Sequence, residues 1–283
     1  FNFNIEENNY DFKNLKFYYN KIKFNSKKIQ IAKKNKDYLF NGNLMNEKSL
    51  INLNNFFNIL KLNFDFLSNK EIILESNNDF KFKFSNKKKI EDLEIKSSIR
   101  FDKLFFSKKY KNLLYLHDGI IETNYQNNNL NSEIKSKYSF VQGKDIISND
   151  IKDEIKISLS KNKNKNYFIN GFFKSSEASF NIANILKQFE IKNDFLNKKE
   201  IIISTDNLFS FQLDKKNKIQ NLNIKSKVNF QNLSFKYNFD KLKKYFKEYQ
   251  NVVFFKEGDL RIEYENNELS INGNSKYSLD KKF

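Results

Sequence analysis

The chain contains an internal repeat. The stretch IEDLEIKSSIRFDKLFF, which begins at Ile90, returns as IQNLNIKSKVNFQNLSF at Ile219, 129 residues later. The matched pairs are mostly apolar or small: Leu93/Leu222, Ile95/Ile224, Ser97/Ser226, Ile99/Val228 and Phe101/Phe230. A repeated unit stacks on its neighbour and extends one surface, whereas a single active site gains nothing from being copied in series. The duplication therefore favours a repeat-built architecture with one extended surface.

A third, partial copy opens the chain, because YDFKNLKF at 10–17 follows the pattern of IRFDKLFF at 99–106. We therefore expect a segment cut from a longer protein, with its repeats joined in one continuous sheet. The expected divisions are the end of a truncated repeat at 1–35, repeat unit 1 at 36–163 and repeat unit 2 at 164–283.

Polar and apolar residues alternate over most of the sequence, which is typical of strands with one wet and one dry face. In DFKFKF at 79–84, three Phe point one way and two Lys point the other. The segment from Leu93 to Phe101 alternates in the same way, and so does its copy from Leu222 to Phe230. Strands of roughly eight residues with short links predict an antiparallel meander in a mainly β protein.

One helix is expected in each repeat, because apolar residues recur there at i, i+3, i+4 and i+7. The first comprises Leu53, Phe56, Phe57 and Leu60, and the second comprises Ile182, Ile185, Leu186 and Phe189. A third, with Leu242, Tyr245, Phe246 and Tyr249, follows Asp240 as a possible N-cap.

Turns are predicted at polar clusters, at Ser85 to Lys89, Asn127 to Asn129 and Lys215 to Asn217. The Asn-Gly pairs that begin at Asn41, Asn170 and Asn272 are interpreted as hairpin turns.

The formal charge is +17, which raises nucleic acid or an anionic membrane surface as partners. The lysines are spread along the polar positions of the alternating strands, so a solvated outer face is the favoured interpretation. The chain has no cysteine, which excludes disulfides and thiolate chemistry and leaves the compartment open.

No catalytic motif or metal site is recognised. His117, the one histidine, precedes Asp118 and Gly119 in an expected turn and is assigned a structural or surface role. An acidic group lacks the spacing of a calcium loop and is interpreted as solvated; it comprises Asp145, Asp150, Asp153 and Glu154. We expect no enzyme, no cofactor and no metal.

The two copies of LxIxSxxxFxxLxF, at Leu93 to Phe106 and Leu222 to Phe235, are followed by Gly-led strands and polar hairpins. This arrangement resembles the AsmA-like family, the TamB and YhdP type of bridge-like lipid-transfer protein. The resemblance implies an elongated, twisted antiparallel sheet that curls into an open groove. It further implies that phospholipid acyl chains slide along the dry lining between the inner and outer membranes.

The same resemblance implies a periplasmic protein that is anchored in the inner membrane by a segment outside this chain. We expect the protein to be monomeric and to bind no nucleic acid. Its function would belong to outer-membrane biogenesis. The residues expected to line the groove are Phe80, Phe82, Phe84, Ile95, Ile99, Phe101, Phe209, Phe211, Ile224, Val228 and Phe230. Two alternatives stay open, a structural scaffold or adhesin with a closed sandwich core and a basic nucleic-acid-binding module.

Overall fold

The computed structural model of the chain is built almost wholly of β-strands. It describes residues 2–19, 22–52, 71–105, 114–142, 145–146, 153–161, 166–181, 200–214, 218–236, 240–247, 249 and 251–279. The first eight strands are β1 (Asn2–Glu6), β2 (Asn9–Tyr19), β3 (Ile22–Lys34), β4 (Asp37–Asn52), β5 (Glu71–Phe84), β6 (Ile90–Phe105), β7 (Leu114–Gln126) and β8 (Asn129–Gln142). They are followed by β9 (Asp145–Ile146), β10 (Glu154–Lys161), β11 (Tyr167–Asn181), β12 (Glu200–Leu213), β13 (Ile219–Lys236), the helix α1 (Asp240–Tyr245), β14 (Val252–Glu265) and β15 (Glu268–Ser278).

The strands form one open antiparallel sheet, which confirms the predicted mainly β meander. Strands β1 to β8 and β10 to β15 hydrogen-bond in chain order, while the two-residue β9 pairs with β8 beside this path. Most of these connections link neighbouring strands that are also consecutive in sequence, as expected when short turns join antiparallel strands.

The chain divides into two compact units. Unit 1 comprises Phe1–Tyr138, Lys156–Asn170 and Gln212–Lys218, and unit 2 comprises Ser139–Ile155, Gly171–Phe211 and Ile219–Phe283.

The strands reproduce the spacing of the sequence repeat. Strand β5 begins at Glu71 and β12 at Glu200, both have 14 residues, and they are 129 residues apart. The order β4 to β8 has its counterpart in β11 to β15. We call these two sets of strands the first copy and the second copy.

Two hairpin turns lie at Asn-Asn pairs, and none of the three Asn-Gly pairs forms one. Asn127 and Asn128 both have positive φ, 53° and 63°, and so do Asn266 and Asn267, at 54° and 64°. Two consecutive residues with positive φ form the turn whose twist matches a two-residue hairpin. The turns expected after Ser85 and at Asn127 are therefore confirmed, while the one expected at Lys215 to Asn217 lies outside the described residues.

The predicted hairpins at Asn41-Gly42, Asn170-Gly171 and Asn272-Gly273 were wrong. These pairs lie inside β4, β11 and β15. The physical reason is that each glycine makes room for a large side chain of a neighbouring strand: Phe80 at Gly42, Phe209 at Gly171 and Leu260 at Gly273.

Residues with positive φ recur inside the strands at matched positions of the two copies. Asp92 in β6 and Asn221 in β13 have positive φ, 53° and 52°, and so do Asp118 in β7 and Glu257 in β14, both at 51°. The pairing register shifts beside Asp92 and beside Glu257. A bulge bends its strand and increases the local twist, so both copies carry the same local distortions.

Buried apolar residues also recur. Ile72 and Phe101 are buried in unit 1, and their counterparts Ile201 and Phe230 are buried in unit 2. Removing such a side chain from water stabilises the fold by about 1.5–3 kcal/mol.

The helix α1 is shorter than its sequence pattern predicts. It ends at Tyr245, so Phe246 and Tyr249 lie beyond it. Tyr245 and Phe246 are exposed and Tyr249 is buried, so the expected continuous apolar stripe is not formed. The helices expected at 53–60 and 182–189 lie outside the described residues.

Candidate ligand-binding face

In each unit, one side of the sheet carries the residues expected to line a groove. In unit 1, Phe80 lies opposite Ile95, and Ile95 lies opposite Tyr125. Ile99 lies opposite Ile121 on the same strands. Because directly opposed residues share a face and alternate residues return to it, Phe82, Phe84 and Phe101 also belong there. We call this side the apolar face and the other side the polar face.

The expected lining residues of unit 2 follow the same rule. Ile224 lies opposite Tyr264, and Val228 lies opposite Leu260. On the polar face of the same unit, Asn229 donates a hydrogen bond to Ser204 at 3.4 Å, which fixes the relative parity of β13 and β12. Phe209 and Phe211 therefore lie on the apolar face with Ile224 and Val228.

Exposure divides the expected lining residues into two groups. Phe101 and Phe230 are only 3% and 6% exposed, so they act as packing residues. The others are half-buried and therefore remain accessible from one side: Phe80, Phe82, Phe84, Ile95, Ile99, Phe209, Phe211, Ile224 and Val228.

A phenylalanine ring lies across a strand glycine at four places. The pairs are Gly42 with Phe80, Gly119 with Phe101, Gly171 with Phe209 and Gly258 with Phe230. A Cβ atom added at Gly42 would lie 2.9 Å from Cζ of Phe80, and at the other three glycines the ring would be closer still. The ring therefore occupies the volume that a side chain would fill, which explains a glycine within each strand.

The aromatic rings of the apolar face also contact one another. Phe40 and Phe82, which are opposite each other on β4 and β5, stack with centroids 4.7 Å apart and planes inclined by 8°. The ring centroids of Phe80 and Phe82 are 6.0 Å apart. Such pairs contribute about 0.5–1.5 kcal/mol beyond their buried area.

A row of polar side chains crosses the apolar face at mid-strand, and the sequence analysis missed its significance. We call it the polar belt; in unit 1 it comprises Asn46, Ser76, Asn78, Ser97, Thr123 and Ser132. Asn78 donates to Ser76 at 2.9 Å and accepts from Ser97 at 2.5 Å. Asn46 accepts from Ser76. Thr123 and Ser132 share a hydrogen bond of 2.9 Å.

The polar belt has a counterpart in unit 2. Asn78 donates to the carbonyl of Leu44 at 3.1 Å, and Asn207 donates to the carbonyl of Phe173 at 3.2 Å. Asn207 also donates to Thr205 at 2.9 Å, as Asn78 does to Ser76. The sequence does contain a signal for this belt. In both copies an asparagine, Asn78 or Asn207, stands at a strand position whose alternate neighbour, Phe80 or Phe209, is apolar.

The sequence analysis interpreted the acidic group around β9 as solvated, but one of its members is buried. Asp153 is 1% exposed and accepts hydrogen bonds from Ser175 and Ser176. The backbone N–H of Ser176 is 2.7 Å from its carboxylate. Glu154 is exposed, and Asp150 lies outside the described residues. Asp153 is therefore a structural carboxylate that ties the start of β10 to β11.

His117 lies within β7 and not in a turn, because the chain continues through Asp118, whose φ is positive, without reversing. Its Nδ1 is 3.4 Å from the Asp118 carboxylate. This imidazole, more than Lys137, lowers the pKa of Asp118 below its ordinary value.

Ion pairs between neighbouring strands cover much of the polar face in unit 1. Lys83 pairs with Glu91 at 2.9 Å and Lys156 pairs with Glu133 at 2.8 Å. Hydrogen bonds from Lys135 first, and then from Lys156, lower the pKa of Glu133. The hydrogen bond from Lys83 likewise lowers the pKa of Glu91. Many lysines of this face therefore have carboxylate partners.

The polar face of each unit also has a depression at mid-strand. In unit 1 its volume is about 550 Å³ and its lining includes Lys96, Glu122 and Asn124. In unit 2 the volume is about 430 Å³ and the lining includes Lys225 and Arg261. The matched pair Lys96 and Lys225 thus occupies the same kind of position in both copies.

Comparison with known proteins gives no relative, since no protein-family model, curated protein or solved structure matches the chain. The described part of the chain has no helix of sufficient length and apolar character to span a bilayer. Within the same residues, no three His, Cys, Asp or Glu side chains are grouped so that they could hold a metal ion.

Proposed function

We propose that the chain binds lipid, with acyl chains held against the apolar face and without catalysis. The observation that carries the proposal is the set of half-buried aromatic and aliphatic residues on the apolar face of each unit, represented by Phe82 and Ile99 in unit 1 and by Val228 in unit 2. An accessible apolar surface of this kind is uncommon on a soluble monomer and usually binds a partner.

The kind of contact suits an acyl chain. Burial of apolar surface is non-directional, so a flexible hydrocarbon can move across such residues without breaking specific bonds. On this proposal the sheet curls into an open groove built from repeats, in the manner of the AsmA-like family. The protein would then be a monomeric, periplasmic lipid-transfer segment that is anchored in the inner membrane and acts in outer-membrane biogenesis.

Lipid retention tests the proposal directly. Native mass spectrometry of the protein purified from a phospholipid-containing host should show bound phospholipid. The double variant Ile99→Asp with Val228→Asp should lose it, because a carboxylate in contact with acyl chains is strongly unfavourable.

The matched control is Ser98→Asp with Asn229→Asp, which places the same charges one residue away on the polar face. This control should retain the lipid. Lipid-free wild-type protein, or equal loss in both double variants, would rule out the apolar face as the lipid site.

A structural scaffold or adhesin is the second candidate. It is favoured by the deep burial of Ile51, Ile72 and Phe101 at one end of the apolar face in unit 1. If scaffold packing occupied the whole face, Ile99→Asp would lower the free energy of unfolding by about 3 kcal/mol or more, as expected for an uncompensated buried charge. Urea unfolding separates this outcome from lost lipid in a stable sheet.

A further inference from the structure

Two like charges oppose each other on the polar face of unit 2. Lys227 of β13 lies directly opposite Arg261 of β14. Lys225, two residues away on the same face, lies opposite Glu263. Directly opposed like charges destabilise a sheet, so this arrangement needs a reason other than folding.

The first copy has a compensated arrangement at the matching positions. Ser98 and Glu122 oppose each other there, where the second copy has Lys227 and Arg261. Lys135 lies 3.9 Å from Glu122, so that carboxylate has a basic neighbour. The two copies thus share backbone pairing and differ in the sign of the charge at mid-strand.

These three basic residues of the depression, Lys225, Lys227 and Arg261, lack carboxylate partners among the described residues. Over the part of the chain that the structure describes, no ion pair involves Lys225, Lys227 or Arg261. The one ion pair among the residues that line this depression joins Lys174 to Asp206 at 3.7 Å.

The spacing of these residues suits a single anion. Neighbouring strands lie about 4.8 Å apart, and alternate residues along a strand about 6.7 Å apart, so three long basic side chains can meet at one phosphate. Leu208, which is 59% exposed, lines the same depression. A phosphate with apolar material beside it is the chemistry of a phospholipid headgroup at a bilayer surface.

We propose that Lys225, Lys227 and Arg261 bind the phosphate of an anionic lipid headgroup. The site lies on the polar face and so does not depend on acyl chains occupying the apolar face. The double variant Ile99→Asp with Val228→Asp leaves all three residues in place, so failure of one proposal is distinguishable from failure of the other.

A repeat-swap variant tests the site. Lys227→Ser with Arg261→Glu installs the two residues of the first copy at the matching positions of the second. Co-sedimentation with vesicles of phosphatidylcholine and phosphatidylglycerol should show binding weakened by about 100-fold, since three units of charge are changed near the surface. Pure phosphatidylcholine vesicles should bind neither protein.

The control removes the same net charge elsewhere. Lys27, Lys33 and Lys34 are exposed on β3 of unit 1, and changing all three to Gln should weaken vesicle binding by less than about threefold. Equal weakening by the control and the swap would mean that only net charge attracts the vesicles, which would overturn the site.

The thermal stability of the swap variant shows whether misfolding causes its weaker vesicle binding. Because the swap removes opposed like charges, its thermal unfolding temperature should equal or exceed that of the wild type. If it falls, Arg261→Gln alone replaces the swap and should weaken vesicle binding by about fivefold. Full binding by that variant would overturn the proposal.

Two further ligands test the assigned source. Isothermal titration with inorganic phosphate should give weaker binding than vesicles do per accessible lipid phosphate; the reverse would assign the site to a soluble anion. Binding of a single-stranded oligonucleotide that is lost in the swap, without vesicle binding by the wild type, would assign it to nucleic acid.

Discussion

At the scale of single residues, the four glycine-phenylalanine pairs are the most constrained positions. The ring of Phe101 lies against Gly119, and the ring of Phe230 lies against Gly258, at matched places in the two copies. Each ring fills the space of a missing side chain, so the pair packs as one unit. Substitutions at the two partners should therefore have non-additive effects on the free energy of unfolding.

Substitution of Gly119 by Ala should lower the free energy of unfolding by about 1–3 kcal/mol, because the new methyl group overlaps the Phe101 ring. Urea denaturation measures the change. In a background that already carries Phe101→Leu, the same substitution should cost less than half as much. Additive costs in the double variant would show that the ring and the glycine are not coupled.

The polar belt is the second constraint at this scale. Asn78 donates to Leu44 and Ser76 and accepts from Ser97, so Asn78→Leu leaves several polar groups without a partner on an apolar face. We expect a loss of about 1–3 kcal/mol in the free energy of unfolding.

The control for Asn78 is Asn124→Leu, an exposed position on the polar face of β7, which should change stability by less than about 0.5 kcal/mol. If chemical denaturation gave equal free energies of unfolding for both variants, the hydrogen bonds of the polar belt would not stabilise the fold.

At the scale of strands, lateral ion pairs couple β8 to β10 and β5 to β6. Glu133 is the best case, because hydrogen bonds from Lys135 and Lys156 lower its pKa from 4.5. A carboxylate with a depressed pKa in the folded state stabilises the fold above its unfolded pKa and loses that contribution as pH falls through the folded value.

The variant Glu133→Gln should therefore be less sensitive to acid than the wild type. Between roughly pH 6 and pH 3, its thermal unfolding temperature should fall by a smaller amount. Glu265→Gln is the charge control, since Glu265 is exposed and makes no ion pair with another described residue. An unchanged acid dependence in Glu133→Gln would exclude this pairing in solution.

Strands were easier to predict from sequence than the features that interrupt them. Alternation at 79–84 and 93–101 identified both the strands and their apolar face, because side-chain parity in a strand is fixed by geometry. The prediction of turns at the Asn-Gly pairs was wrong because glycine occurs both in tight turns and at closely packed strand positions. Only the position of Phe80 or Phe209 on the neighbouring strand distinguishes the two cases.

The candidate sites were predictable to different degrees. The apolar residues followed from parity alone, but the basic site did not, since Lys227 and Arg261 are 34 residues apart and only the pairing register brings them together. The polar belt was visible as Asn78 and Asn207 in both copies. Its meaning required the hydrogen bonds to Leu44 and Phe173.

At the scale of the whole molecule, β1 and β15 are the outermost strands of the sheet among the described residues. Strand β1 has Phe3 and Ile5 exposed, and β15 has Leu269 and Ile271 exposed. The chain has no proline to block such an edge. An apolar edge strand with unused backbone hydrogen-bonding groups pairs readily with another strand.

We expect copies of the chain, which are monomeric at low concentration, to associate through these outer strands as the concentration rises, and Ile271→Lys to reduce this association at least tenfold in sedimentation velocity. A charged side chain on an edge strand is a common way to prevent strand pairing. Leu50→Lys is the control, because Leu50 is also 58% exposed but belongs to the interior strand β4. Equal effects of the two substitutions would place the contact elsewhere.

The three Asn-Gly pairs inside strands have a chemical consequence. Asparagine before glycine deamidates when the glycine nitrogen can approach the side-chain amide, and an extended, hydrogen-bonded strand prevents that approach. Asn41, Asn170 and Asn272 are thus protected for as long as β4, β11 and β15 stay paired. The rate at which each asparagine deamidates in aged protein should therefore increase with the frequency at which its strand opens. The three rates would report local unfolding of β4, β11 and β15 separately.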